Sequence, residues 1–227
     1  MSLEIGQKEM NKPIEIEFAA ELSPENNKNM VFNLLQIRPI VDNKETLDED
    51  ISLISPEEAI ITCHSALGNG IINTLTDVIY IRPESFNATK NPEIGAEVGK
   101  INEEFLREGK NYVLIGPGRW GSSDPWLGIP VKWPHISAAR VIVESGLKNY
   151  RIDPSQGTHF FQNLTSFRVG YFTINPFIKD GTYDLEYLNK MPAVYEDQYL
   201  RHIRFKTPIV VKIDGKRNLG VILKAKS

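Results

Sequence analysis

The sequence holds a single cysteine, Cys63, among 227 residues. An intramolecular disulfide and a cysteine-based zinc site are therefore both excluded. No apolar run approaches the roughly 18 residues that a membrane-spanning helix requires. The first residues, Met-Ser-Leu-Glu, lack the basic and apolar regions of a secretory signal. These absences predict a cytoplasmic protein with no membrane partner.

The charge is almost balanced. The chain has 26 Lys and Arg residues against 29 Asp and Glu residues, which gives a formal net charge of −3. This balance argues against a protein that binds nucleic acid by electrostatic attraction. Hydrophobic residues make up 41% of the chain and charged residues 24%, which is ordinary for folded, water-soluble domains.

A β-hairpin is predicted near the start of the chain. Ile14, Ile16 and Phe18 alternate with glutamates, and residues 30–37 form a second apolar run after a turn-rich segment. Two strands alone are marginal in water, so they are expected to pair with the rest of this chain or with a sheet from elsewhere. The acidic segment 42–50 predicts a linker, which divides the chain into residues 1–41 and 42–227.

Strands outnumber helices in the second part. Apolar residues at helical spacing predict a helix over residues 98–106, with Gly109 placed to end it. A further helix is predicted after Thr158, with Leu164 on its apolar face. The predicted fold class is α+β or α/β with a mixed sheet. Its predicted strands cover residues 59–63, 71–81, 112–115, 141–143 and 171–174, with a hairpin of 207–213 and 219–223.

A glycine-rich loop follows the strand predicted at 112–115. Glycines at a strand end let backbone N–H groups approach an anion, and an arginine adds a two-pronged contact. The alternative is a tight structural turn covered by tryptophans. No Gly-Lys-Ser/Thr follows, so the loop is not a Walker loop. The candidate anion-binding residues are Gly116, Gly118, Arg119, Gly121, Ser122 and Ser123.

His159 is the second candidate, at the first turn of the helix predicted after Thr158. A helix N-terminus has unpaired N–H groups and a positive dipole end, which favour a phosphoryl group on the imidazole and leave a ring nitrogen free as a nucleophile. The alternative is a partly buried histidine that bonds a backbone carbonyl.

Other chemistries have little support. No two histidines have the i, i+4 spacing of a helical metal site, and no serine lies in a Gly-x-Ser-x-Gly elbow. The small basic run is interpreted as a solvated face of a strand or helix. It consists of Arg201, His202, Arg204 and Lys206.

The first part resembles the end of the nucleotide-binding ATP-grasp domain of the phosphoenolpyruvate synthase and pyruvate phosphate dikinase family. The motifs that carry the resemblance are Glu-Ile-Glu-Phe-Ala at residues 15–19 and Leu-Gln-Ile-Arg-Pro-Ile at residues 35–40. The resemblance implies that Glu17 holds the nucleotide's Mg²⁺ and that Gln36 and Arg38 lie by the terminal phosphates of ATP. It also implies about two to three hundred residues of the same domain upstream.

The second part resembles, more distantly, the swivelling phosphohistidine domain that follows in that family. The order of segments carries the resemblance: residues 68–81, a strand and substrate loop at 112–125, a helix and strand matched to 136–146, and Gly-Thr-His at 157–159. Phe160 and Phe161 depart from the family pattern, which has two small alanines there. The resemblance implies a β/β/α swivel-like fold that ends in a hairpin.

The family implies an ATP-dependent phosphotransferase in which His159 carries the phosphoryl group to a small-molecule acceptor. Mg²⁺ and ATP are the implied cofactors, in the full-length protein only, and the isolated chain is expected to be inactive. A different class of function stays open. In that alternative the domain is a catalytically silent ligand-binding or regulatory module, and the loop around Arg119 senses an anion.

Overall fold

A computed structural model describes residues 2–10, 14–21, 31–39, 47, 49–148, 151–153, 164 and 169–225. The chain forms two compact units, Met1–Lys44 and Glu45–Ser227. Each unit is described by itself below. No helix among these residues is long and apolar enough to cross a membrane.

Among its described residues, the first unit has one helix and two antiparallel strands. The helix is α1, Ser2–Met10, and the strands are β1, Ile14–Glu21, and β2, Val31–Pro39. Gly6 of α1 lies against the side chains of Ile14 and Ile37, with no room for a Cβ. The predicted pair of strands is present, and its register shifts between Glu17 and Phe18.

The second unit is built on one curled, mixed sheet, so the coarse prediction of a mixed α+β fold is confirmed. The strands follow the order β11-β3-β14-β13-β5-β6-β9-β10-β4, and β12 pairs with β13. Neighbours among β5, β6, β9 and β10 run parallel, and the other neighbours are antiparallel. The strands are β3 Ala59–Cys63, β4 Ala66–Leu67, β5 Gly70–Ile81, β6 Tyr112–Pro117, β9 Ala139–Ser145, β10 Gly170–Ile174, β11 Thr182–Tyr183, β12 Ala193–Glu196, β13 Leu200–Asp214 and β14 Leu219–Leu223.

The path of the chain explains why this sheet curls. Strands β3 and β4 are separated by two residues, yet they lie near opposite ends of the strand order. The link between them bridges those ends, because Thr173 N in β10 donates to Ser65 O at 3.2 Å. The apolar side chains on the inner face therefore fill a central core, which includes Ile61, Val113, Val143 and Phe172.

Helix α2, Asn91–Glu108, covers the outer face of the parallel strands. Its residues Ile94, Val98 and Phe105 belong to a second core with Tyr112 of β6. The helix ends at Gly109, which adopts φ 63° and donates to the carbonyls of Phe105 and Leu106. The predicted end of the helix is confirmed, and a left-handed residue there favours glycine.

Two segments differ from expectation. Residues 136–146, matched above to a helix followed by a strand, contain β9 after a single turn of 3-10 helix at Trp133–His135. The alternating burial of an apolar strand explains this, since Val141 and Val143 face the central core while Ile142 faces the second core. A short helix, α3 Leu185–Lys190, was not predicted.

Candidate functional site

The glycine-rich loop lies at the carboxyl ends of the parallel strands. It leaves β6 at Pro117, beside the end of β9 at Ser145, because these two residues are paired in register. Ligand sites of α/β sheets lie at this edge, outside the carboxyl ends of the strands. The loop is therefore positioned where a ligand site is expected.

The loop is closed by a small two-stranded sheet. Strand β7, Arg119–Trp120, runs parallel to β8, Gly128–Ile129. Gly118 adopts φ 76° and Gly121 φ 77°, a region that favours glycine. A Cβ at Gly128 would overlap the backbone of Arg119. These glycines are explained by local backbone geometry alone.

Most backbone donors of the loop have partners inside the protein. Gly118 N donates to Ser145 O at 3.0 Å, Arg119 N to Leu127 O at 3.0 Å, and Gly121 N to Ile129 O at 2.9 Å. These N–H groups are not available to cradle a phosphate. Anion binding by this loop, if it occurs, depends on the guanidinium of Arg119 and on the two serines.

Ser122 and Ser123 lie in the exposed part of the loop. The Ser122 hydroxyl donates to Asp124 O at 2.8 Å and accepts from Asp124 N at 3.1 Å. Trp126 N donates to Asp124 Oδ1 at 2.9 Å, and its side chain is 74% exposed. The expected covering role of Trp126 is therefore wrong, whereas Trp120 is buried beneath the loop.

Arg119 is half-buried at the start of the loop. Its Nη2 donates to the carbonyl oxygen of Asp153 at 3.2 Å. Its Nε is buried and has no hydrogen-bond partner in the described part of the chain. A buried guanidinium N–H without a partner is unusual in folded proteins. The geometry leaves a positively charged donor beside the backbone of residue 153.

A buried carboxylate holds the loop from below. Glu144 Oε1 accepts from Trp120 N at 2.9 Å, and Oε2 accepts from the hydroxyl of Tyr171 at 2.6 Å. Trp120 Nε1 donates to Val143 O at 3.1 Å. Thr173 Oγ1 donates to Tyr171 OH at 3.1 Å. The loop is thus fixed to both β9 and β10.

Asn91 secures the far end of the loop. Its side-chain amide is buried and donates to Pro125 O at 2.7 Å and to Gly128 O at 3.2 Å. Asn91 is also the first residue of α2, so the helix start and the loop are held together. Sequence reasoning missed both Asn91 and Glu144.

His159 and Thr158 lie outside the described residues. The described residues nearest to His159 in the chain are Asp153, whose carbonyl oxygen is in contact with Arg119, and Leu164. Leu164 is buried in the second core, on the outer face of the parallel strands.

The predicted nucleotide residues lie in the first unit. The register places Glu17 directly opposite Gln36, and Arg38 opposite Glu15. Glu17 and Gln36 are exposed. Within the residues that the structure describes, no group of three or more His, Cys, Asp or Glu side chains is arranged to hold a metal ion.

No protein-family model, curated protein or solved structure matches this chain. Function is therefore inferred from the residues and their geometry.

A second polar cluster lies in the sheet at Asp77. This buried carboxylate accepts from Arg204 Nε at 2.7 Å and from Thr76 Oγ1 at 2.7 Å, and its Oδ1 lies 2.7 Å from His202 Nε2. Burial opposes ionisation, but the hydrogen bonds from His202, Thr76 and Arg204 outweigh it and lower the pKa of Asp77.

The interpretation of the basic run as a solvated face is therefore wrong for two of its members. His202 is buried and its ring packs against Phe105 at 5.4 Å. Arg201 donates to Tyr80 OH at 3.0 Å and to Met191 O at 3.0 Å. Both side chains have partners on β5, Asp77 for His202 and Tyr80 for Arg201, which the local sequence does not reveal.

Cys63 has no features of a nucleophile. Its Sγ donates to Thr173 O at 3.3 Å and accepts from Ser65 N at 3.3 Å. Burial raises the pKa of the Cys63 thiol to about 12. The thiolate, which is the reactive form, is therefore strongly disfavoured at neutral pH.

Proposed function

We propose that this chain is part of a phosphoenolpyruvate synthase-like phosphotransferase in which His159 carries the phosphoryl group. The observation that supports it most is the Arg119 guanidinium, which contacts the backbone of Asp153, six residues before His159. The buried Nε of Arg119 has no partner in the described part of the chain. A fixed cation with a free donor suits a transferring phosphoryl group.

The proposed reaction has two steps. A ring nitrogen of neutral His159 attacks the γ-phosphorus of ATP and the P–O bond to the leaving ADP breaks, or it attacks the β-phosphorus and AMP leaves, in which case water then removes the terminal phosphate as inorganic phosphate. The hydroxyl oxygen of a small-molecule acceptor then attacks the phosphorus bonded to the imidazole. The N–P bond breaks with its electron pair returning to the imidazole, which takes up the proton that the acceptor loses. Arg119 lowers the cost of the negative charge in both steps.

The residues that we propose to bind the nucleotide lie in the first unit. Glu17 and Gln36 are cross-strand partners, which suits one wall of an ATP site, with Glu17 as a ligand of Mg²⁺. The metal would neutralise phosphate charge and orient the nucleotide. A single wall buries too little of the ligand, so the isolated chain is expected to bind ATP weakly and to catalyse no transfer.

The exposed apolar side chains of the same unit also support the proposal. Phe18 and Phe32 stack at 4.8 Å between ring centroids, and each is 52% exposed. Leu34 and Leu35 are 47% and 60% exposed. An exposed pair of stacked aromatic rings of this kind is suited to an interaction surface. We propose that the remainder of an ATP-grasp domain covers it.

The test is phosphoryl transfer in the full-length protein. Incubation with β-labelled or γ-labelled ATP should give acid-labile label on the protein. His159→Ala should abolish this label, and Arg119→Gln should reduce it strongly. His135→Ala is the matched control and should leave the label unchanged. Label that persists in His159→Ala would overturn the assignment.

A second candidate is a catalytically silent module that keeps the fold. The observation that favours it is that backbone donors of the loop already have partners inside the protein. The N–H groups of Gly118, Arg119 and Gly121 all donate to carbonyl oxygens of this chain. The Glu144 carboxylate, which would repel an anion, lies directly beneath the loop. This candidate predicts no label on the wild-type protein. It predicts instead that sulfate binds to the chain and that Arg119→Ala removes that binding in a titration.

A further inference from the structure

A small cavity lies beside the base of the loop and shares Gly116, Pro117 and Ser145 with it. Its volume is about 220 Å³. Its other walls come from the end of β5, the residues after β9 and the β11–α3 connection, and they include Ile81, Pro83, Leu147, Tyr183 and Leu185. Protein interiors are close-packed, and voids larger than a water molecule are few. The cavity lies at the carboxyl ends of parallel strands, where α/β sheets bind their ligands.

The cavity walls are mostly apolar and carry no charge among the described residues, and the hydroxyl of Ser145, which also lines the cavity, donates to Gly146 O at 3.3 Å. Ile81, Ile115 and Leu185 supply aliphatic surface, and Phe177 supplies an aromatic ring. An ion would lose its hydration here without gaining a partner of opposite charge. The occupant that fits these walls is neutral.

Tyr183 lines the cavity and provides a polar group that lacks a partner. Its hydroxyl is buried and has no hydrogen-bond partner in the part of the chain that the structure describes. Buried hydroxyls in proteins are nearly always hydrogen-bonded, so this one needs a partner from outside the described residues.

We propose that this cavity binds a small neutral molecule, one ring in size, that carries one hydroxyl or carbonyl oxygen. The ring would fill the apolar volume and the oxygen would bond the hydroxyl of Tyr183. In another protein, an engineered apolar cavity of about 150 Å³ is large enough to bind benzene. The cavity here has room for a single ring with a polar substituent, and phenol is the simplest probe of that shape. This inference does not depend on the proposed phosphoryl transfer.

The test uses the 227-residue chain, selectively methyl-labelled at isoleucine, and three probes: phenol, toluene and benzoate. Phenol and toluene should both shift the methyl signals of Ile81 and Ile115 in a saturable way, with phenol binding more tightly. Benzoate should give no saturable shift, because it is charged. Tyr183→Phe should weaken phenol about three- to tenfold, to the affinity of toluene, and leave toluene unchanged.

Two controls keep this test decisive. Leu147→Trp at the cavity rim should abolish binding of both neutral probes, and circular dichroism should show that this variant and Tyr183→Phe remain folded. Absence of saturable shifts with phenol and toluene in the folded wild-type chain would overturn the site. Equal phenol affinity in wild type and Tyr183→Phe, or saturable binding of benzoate, would overturn the assigned ligand class.

Discussion

Replacing Asp77 with alanine should lower the free energy of unfolding by about 1–3 kcal/mol, the cost of leaving a buried hydrogen-bonding group without its partner. The carboxylate is buried, and its loss leaves the buried ring of His202 and the guanidinium of Arg204 without their shared acceptor. Urea unfolding at neutral pH measures the change. Asp153→Asn, at a side chain that is 74% exposed, is the control and should change stability by under about 1 kcal/mol.

The same site has a defined pH dependence. The pKa of Asp77 in the folded chain is lowered from its ordinary value of 3.8. Its contribution to stability is therefore fully present above about pH 4–5 and is lost as the pH falls through the lower, folded-state pKa. The stability difference between wild type and Asp77→Asn should shrink as the pH falls below 4. A difference that stays constant down to pH 3 would contradict the assignment.

Replacing Glu144 with leucine should lower the free energy of unfolding by about 2–5 kcal/mol, since two buried donors lose their acceptor. These donors are Trp120 N and Tyr171 OH. Glu144→Gln keeps one acceptor oxygen, so we expect an intermediate loss. The measurement is denaturant unfolding, followed by the fluorescence of the buried Trp120.

Hydrogen exchange separates a loop effect from a general loss of stability. In Glu144→Leu the amide of Trp120 should exchange faster, whereas the amide of Val113, in the middle of β6, should change only as much as global stability does. Asn91→Ala removes a second set of contacts to the loop, at Pro125 and Gly128. Wild-type exchange at Trp120 in Glu144→Leu would show that this carboxylate does not hold the loop.

Local sequence patterns predicted the helix ends and strands that depend on neighbouring residues in the chain. The end of α2 followed from one glycine with a left-handed backbone, and the C-terminal hairpin followed from alternation around Asp214 and Gly215. The strands of the central core were visible as apolar runs. Their order in the sheet was not, because pairing depends on contacts between distant segments.

The residues that support the candidate site have causes that are not local. Glu144 lies next to the last residue of a strand of apolar residues, and its burial goes with the approach of Trp120 and Tyr171 from other strands. Asn91 is the first residue of α2. Its side chain holds the loop, whose bonded carbonyl groups lie 34 or more residues later in the chain. His202 belongs to a basic run in the sequence. Its ring lies against Asp77 on the neighbouring strand, so it is part of a buried polar cluster and not of a solvated face. No local signal identifies these partners.

The glycines of the loop form a local pattern that the sequence alone does not assign to one role. Their clustering predicted a ligand loop and a tight turn equally well. Positive φ at Gly118 and Gly121 and the close backbone contact at Gly128 explain them without a ligand. A functional role is still proposed for Arg119. Local backbone geometry does not explain why its Nε is buried without a hydrogen-bond partner among the described residues.

The most direct test of the central proposal is chemical phosphorylation of the 227-residue chain with phosphoramidate, a donor that modifies histidine without an ATP site. His64, whose side chain is 60% exposed, serves as the internal reference for an ordinary accessible histidine. Mass spectrometry at early times gives the rate at each site. The proposal predicts that His159 is modified several times faster than His64, and that Arg119→Gln removes this advantage without changing the rate at His64. Modification of His159 no faster than His64, or an advantage that survives in Arg119→Gln, would contradict it.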